Sequence, residues 1–245
     1  MHRLLAVMLS AAAAISCALP PAACGAPTGA PADDLPVGLF EYDRSAPLDV
    51  QEVSVRTEGP AEIHDITYAS PKGGRVPAYL VVPAGAKGPF AGLILMHGMP
   101  GSRDTTLKFA TRLARTGAVS LLISSPFARR GAAPQEMITF TEKDRDEQIQ
   151  LMVDLRRGVD LLTSRADVDP KRVAYVGGSY GGAMGALFAG IEPRVKTFVL
   201  AVADGGLVSH VRATPPPGGV NEEMERCGIA ARGCQQEQDA DAVRL

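Results

Sequence analysis

The sequence predicts an α/β fold: a mostly parallel sheet, wound by helices on both faces, with a β-hairpin on its N-terminal side. Three observations predict it. Strand-length, largely apolar runs recur at residues 91–96, 118–124, 172–177 and 195–202. The segments between them have helical pattern or composition, and strands alternating with helices give βαβ units and a parallel sheet. Ahead of them, the β-rich runs 61–69 and 75–83 flank Ser70-Pro71-Lys72-Gly73-Gly74, a hairpin signal with a turn longer than two residues.

Residues 91–96 (AGLILM) and 118–124 (AVSLLIS) carry the near-continuous apolar pattern of strands buried on both faces. Residues 104–115 between them are helical in composition. A long helix follows, in which Met152, Leu155, Val159 and Leu162 recur at spacings of three and four on one face. Arg156, Arg157 and Asp160 are expected to point away from that face. Asp169-Pro170 is expected to close the connection before residues 172–177 (RVAYVG). Residues 183–189 open another helix, and 195–202 (VKTFVLAV) are the last strand. Ligands of such sheets bind at the carboxyl ends of the strands, which directs attention to the residues after Met96, Ser124, Gly177 and Val202.

Composition removes several function classes. A chain of 245 residues that is 46% hydrophobic and 21% charged is neither disordered nor collagen-like. With 25 Lys+Arg against 27 Asp+Glu there is no basic stripe for phosphates, so no nucleic-acid partner is expected. No Trp is present and aromatics are only 5%, which weakens an aromatic-stacking site.

At the N-terminus, Arg3 precedes an apolar run over residues 4–15, then small residues and Pro20-Pro21, the layout of a secretory signal peptide. The run is shorter than the roughly 20 residues a membrane span needs, so no transmembrane anchor is expected. Residues 1–26 read as the signal peptide, with cleavage after Ala18, Ala23 or Ala26. Residues 27–50 read as a linker or surface strap, 51–211 as the core, and 212–245 as a Pro/Gly-rich stretch followed by a polar helical tail. Export to the periplasm or the exterior is the expectation. A lipid anchor at Cys17 or Cys24 lacks the Leu expected three residues earlier. Cys227 and Cys234 form either a small-loop disulfide or two free thiols. With no C-x-x-C pair and no His near them, the cysteines make no metal site. A dinucleotide-binding reading fails because no G-x-G-x-x-G opens a helix after the first strand, and no cofactor is expected.

The chemistry concentrates at two strand ends. Gly177-Gly178-Ser179-Tyr180-Gly181 is a G-x-S-x-G, a weak signal alone in a chain with 26 glycines. Its setting strengthens it, because it follows a buried strand and opens a helix, as a nucleophile elbow requires. A β-carbon at Gly177 or Gly181 would crowd neighbouring elements, and the turn would lift the Ser179 hydroxyl above the sheet with the N–H of Tyr180 beside it. After Met96 comes His97-Gly98-Met99-Pro100-Gly101. Acyl transfer needs two N–H donors where an oxyanion develops, and the N–H of Met99 is the natural partner to that of Tyr180. His97 reads as a residue that ties the loop down rather than as a base. Phe127, Met99 and Met184 line an acyl pocket or simply pack beneath a loop.

The order of strand, HGMPGS and DLRRGVDLLTSRADVDPKRVAYVGGSYGG resembles the α/β-hydrolase superfamily, specifically its dienelactone-hydrolase-like and prolyl-oligopeptidase-like branches, over residues 63–204. The resemblance implies a nucleophile at Ser179, an oxyanion hole from Met99 and Tyr180, and hydrolysis of a small-molecule ester or related acyl compound. Dienelactone hydrolases proper carry Cys at the nucleophile position, so Ser179 points to an esterase-like member.

A serine needs a His to take its proton and a carboxylate to orient that His. In this fold the acid and the His follow the nucleophile in sequence. Two further strand-helix units would need about 60–80 residues, against 42 from Asp204 to Leu245. The expectation is therefore a C-terminally truncated member lacking the last units, with residues 195–202 as an exposed edge open to self-association. Asp204 and His210 are the remaining candidates for acid and base, or else a strand-ending Asp and a surface His. Two function classes stand: an exported serine hydrolase, or an inactive relative or extracellular binding module that keeps the cleft.

Overall fold

The computed structural model describes residues 37–139 and 141–201. Seven strands form one sheet in the order β1-β2-β3-β5-β4-β6-β7. They are β1 Gln51–Glu58, β2 Ala61–Ala69, β3 Arg75–Pro83, β4 Phe90–Met96, β5 Ala118–Ile123, β6 Val168–Gly178 and β7 Thr197–Ala201. The α-helices among the described residues are α1 Leu107–Ala114, α2 Pro126–Arg129, α3 Glu142–Ser164 and α4 Tyr180–Ile191.

The sheet is mixed. Strands β5, β4, β6 and β7 pair in parallel. The expected hairpin of β2 and β3 joins them antiparallel through β3 and β5. Strand β1 extends this antiparallel wing by pairing with β2. Residues 51–58 gave no strand signal because every one of them is exposed, so no face alternates. Strand β6 also begins earlier than expected. Asp169 and Pro170 lie inside it, where the β4 partnership shifts register and residues 170–172 are exposed, so the missing proline N–H costs no buried ladder bond.

Helices cover both faces, as side-chain alternation dictates. Leu95 and Leu122 point toward Ala110 and Ala114 of α1. Ile94, Met96, Leu121 and Ile123 point the other way, into the larger core with Leu151, Met152, Leu155 and Val159 of α3 and Met184 and Phe188 of α4. The connection leaving β4 runs through α1 to β5 on one side, and the connection leaving β6 runs through α4 to β7 on the other. The carboxyl ends of β4 and β6 thus flank a topological switch point, where α/β sheets open a crevice.

Arg156, Arg157 and Asp160 lie away from the apolar face of α3, as expected, but that outer face is covered by chain. Arg156 and Arg157 are buried, at 4% and 2% exposure, because residues 40–46 lie over them. Arg156 Nη1 donates to the Phe40 carbonyl and stands 3.1 Å from Glu41 Oε1. Arg157 donates to the Arg44 carbonyl at 3.3 Å and to the Ala46 carbonyl. Asp160 accepts from Tyr42 Oη at 2.7 Å and pairs with Arg157 and Arg194. Burial and the adjacent Asp160 carboxylate push the Tyr42 pKa up to about 12. Polar residues at helical spacing here bind covering chain rather than water.

Candidate active site

The two motif-bearing loops meet because their strands are paired neighbours in register. Met96 of β4 stands opposite Gly177 of β6, so His97-Gly98 and Gly178-Ser179 leave the sheet side by side. Ser179 is the N-cap of α4 with φ 52° and ψ −124°, a positive-φ conformation costing a non-glycine residue about 1–3 kcal/mol. Its backbone is held on both sides: its N–H donates to the Ala201 carbonyl at 2.9 Å, and its carbonyl accepts from Ala183 at 2.9 Å.

The glycines around it are demanded by packing. A β-carbon on Gly177 would lie 2.3 Å from the Gly181 carbonyl oxygen, and one on Gly181 would lie 2.6 Å from that of Met96. A β-carbon on Gly98 would stand 3.3 Å from Ser179 Cβ and 3.8 Å from its Oγ. Beneath the elbow, Tyr175 is fully buried and its hydroxyl donates to the Gly181 carbonyl at 2.6 Å.

His97 is a tether. Its Nδ1 lies 2.8 Å from the Gly98 carbonyl oxygen, an acceptor, so Nδ1 carries the proton; Nε2 accepts the N–H of Ser125 at 3.1 Å. Both ring nitrogens are thereby committed to backbone. Burial lowers the imidazole pKa, Arg129 adds to that, and the Gly98 carbonyl opposes it. The other end of the loop is held too, since the Arg103 N–H donates to Ser124 Oγ at 3.2 Å. The Arg103 guanidinium pairs with Asp65 at 2.6 Å and lies over the Tyr79 ring, 4.1 Å from its centroid.

Met99 is partly buried against the core, and Tyr180 begins α4. Phe127 is buried between the rings of His97 and Tyr180, with centroids 5.7 and 5.2 Å away in edge-on contacts. Phe127 and Met184 belong to the packed core. Asp204 and His210, with Cys227 and Cys234, lie outside the described residues.

Among the described residues there are two histidines. His64 sits on β2, four strand positions from β6, about 19 Å away at ordinary strand spacing, and contacts Glu52 at 2.7 Å. Neither it nor the tethered His97 is placed to take a proton from Ser179. No group of three or more His, Cys, Asp or Glu among the described residues is arranged to hold a metal ion. No helix among them is long and apolar enough to cross a membrane. Sequence reading missed the Ser124-Ser125 clamp, whose only signal is two serines directly after an apolar run. It also missed Arg103 and Arg129, which carry none.

Comparison with known proteins gives the family and the fold. The profile of the dienelactone hydrolase family matches residues 76–212, more than half of the chain. Among solved structures, an acetyl xylan esterase from Paenibacillus sp. R4 superposes with a TM-score of 0.57 at 22% identity, covering 81% of this chain and 67% of that one. Acetyl xylan esterase 1 from Thermoanaerobacterium sp. JW/SL YS485 does so with a TM-score of 0.56 at 18% identity, covering 81% and 68%. These likenesses show the fold. A search of curated proteins finds no match.

Proposed function

This chain belongs to the dienelactone hydrolase family, and from that premise we propose that it is an exported serine esterase with Ser179 as nucleophile. The observation that carries the reading is the positive φ of Ser179 at the β6–α4 junction, with Gly98 against its side chain. In the reaction, Ser179 Oγ attacks the ester carbonyl and passes its proton to the base. The oxygen of the tetrahedral intermediate receives the N–H groups of Met99 and Tyr180. The Tyr180 N–H lies in the first turn of α4, where a helix has no acceptor of its own, and the positive end of the helix dipole favours the oxyanion. The alcohol departs with the proton, and water releases the acid from the acyl-enzyme. His210 is the base and Asp204 the acid of this reading. The segment led by Arg3 is the export signal, and the substrate is a small ester. Phe127 packs edge-on against the His97 and Tyr180 rings, which favours a short acyl group, in keeping with the acetyl xylan esterase names of the two similar structures.

The second reading is a binding relative without turnover, and it is favoured by one observation: neither histidine among the described residues can serve Ser179. One experiment separates the two. Wild-type protein, Ser179→Ala and His210→Ala are assayed on p-nitrophenyl acetate and treated with a fluorophosphonate probe. The esterase reading expects turnover and labelling at Ser179 in wild type and loss of turnover in both variants. A wild type that neither hydrolyses nor labels leaves the binding reading.

A further inference from the structure

Behind the loop at residues 97–103 lies a buried ion pair that the proposed chemistry does not use. Asp154, in the middle of α3, is fully buried, and its Oδ2 stands 2.7 Å from Arg129 Nη1. Ser70 Oγ donates to Oδ1 at 2.6 Å. Burial pushes the Asp154 carboxyl above its ordinary pKa, and Arg129 and Ser70 recover only part of that shift. Desolvation offsets most of the attraction in such a pair, so net stability is a poor reason for its presence.

The connections of Arg129 supply a better one. Its Nε donates to the Ser124 carbonyl at 2.8 Å. Ser124 Oγ accepts the N–H of Arg103 at 3.2 Å, and the N–H of Ser125 donates to His97 Nε2 at 3.1 Å. The Ser124-Ser125 dipeptide therefore grips both ends of the segment that carries Gly98 and Met99. Arg129 grips the dipeptide, and Asp154 fixes Arg129 to the long helix. We propose that Asp154 and Arg129 are a positioning pair that sets the height of the Met99 N–H over Ser179 through the Ser124-Ser125 clamp. The proposal rests on the reading of Met99 as oxyanion donor and Ser179 as nucleophile. It requires arginine specifically, because one rigid fork serves the carboxylate with Nη1 and the carbonyl with Nε together. A lysine at this place has a single nitrogen for both.

The test is steady-state hydrolysis of p-nitrophenyl acetate by the full chain, with thermal unfolding of each variant. Arg129→Lys is compared with Arg194→Lys, a change in the separate ionic group around Asp160 and Glu192. Loss of one oxyanion donor costs about 100-fold or more, so Arg129→Lys, which only misplaces one, is expected to lower kcat about 10- to 100-fold. Its KM should stay within about twofold, the mark of an interaction made only in the transition state. Arg194→Lys should lower the Tm while leaving kcat as in wild type. Ser124→Ala, a one-atom change that removes the Arg103 acceptor, should reproduce the kcat loss and decides the matter if Arg129→Lys does not fold. Wild-type kcat in Arg129→Lys or in Ser124→Ala overturns the proposal, as does a kcat loss that Arg194→Lys matches at equal loss of Tm. A wild type that neither hydrolyses nor labels overturns the esterase reading and this proposal together; an active wild type with unaffected variants overturns this proposal alone.

Discussion

Gly98 lies directly against Ser179: a β-carbon added to the glycine would sit 3.3 Å from Ser179 Cβ and 3.2 Å from the Gly178 carbonyl oxygen. That spacing is tighter than ordinary packing but does not forbid folding, because a shift of a few tenths of an ångström relieves it. The shift falls on the loop that carries Met99. Gly98→Ala is therefore expected to lower kcat/KM for p-nitrophenyl acetate by about tenfold or more. Its unfolding free energy should change by only about 1 kcal/mol. An alanine variant with wild-type kinetics would show that the loop does not shape the site.

Gly177→Ala makes a sharp contrast. Its β-carbon would lie 2.3 Å from a backbone oxygen of α4 and 2.9 Å from the Tyr175 ring, and none of these can yield cheaply. The expected outcome is a loss of at least about 3 kcal/mol, read as insoluble protein or a collapsed urea midpoint. A soluble Gly177→Ala protein of normal stability would contradict the packing described for the elbow.

The committed tautomer of His97 has a pH signature. Burial, the largest effect, holds its folded-state pKa below the ordinary value, so between the folded and unfolded pKa values the unfolded chain binds more protons. Stability from this group is then fully present above the unfolded pKa, near 6.5, and is lost as pH falls through that value toward the folded one. Wild type minus His97→Gln, measured by Tm from pH 7.5 to 5, should show the wild type losing more stability on acidification. Parallel curves would mean that the imidazole is not held neutral.

The elbow and the loop were legible in the sequence because each sits at the end of an apolar run, and strand-ending position is what strand pairing converts into proximity. The Met96 to Gly177 register did the rest. What stayed hidden has a common cause. Strand β1 has no buried face and hence no alternation. The Ser124-Ser125 clamp works through the Ser124 hydroxyl and the Ser125 backbone N–H, whose partners Arg103 and His97 lie more than twenty residues away. Asp154 and Arg129 sit in different helices with nothing in their local patterns to join them. Hydrophobic periodicity reports one face of an element, so it cannot distinguish a charged residue in water from one beneath a covering segment.

Tyr175 offers a subtler perturbation of the same elbow. Its hydroxyl donates to the Gly181 carbonyl at 2.6 Å from complete burial, and burial drives its pKa upward, so it stays a donor at any working pH. Tyr175→Phe removes one hydrogen bond and leaves the ring that packs beneath Gly177 and Gly185. The expected cost is about 1–2 kcal/mol in urea unfolding, with a several-fold fall in kcat as the first turn of α4 loosens. Full stability with reduced kcat, or the reverse, would separate the anchoring of the helix from the placement of Ser179.

Arg157 carries the last prediction because its face of α3, away from the apolar stripe, is covered by chain rather than open to water. Its side chain is only 3% exposed, 3.0 Å from Asp160 Oδ2, and it binds the Arg44 and Ala46 carbonyls across the outer face of α3. Replacing it with Met keeps much of the volume but leaves two carbonyls without this donor. Asp160 retains only its contacts to Tyr42 and Arg194 among the described residues. Removing one partner from such a buried group costs about 3–5 kcal/mol in the strongest cases. Asp160 is itself 13% exposed and keeps a second arginine, which places the expectation for Arg157→Met nearer 2–3 kcal/mol by urea denaturation. If Arg157 pointed into water, the same substitution would cost under about 0.5 kcal/mol, and the measurement decides between the two.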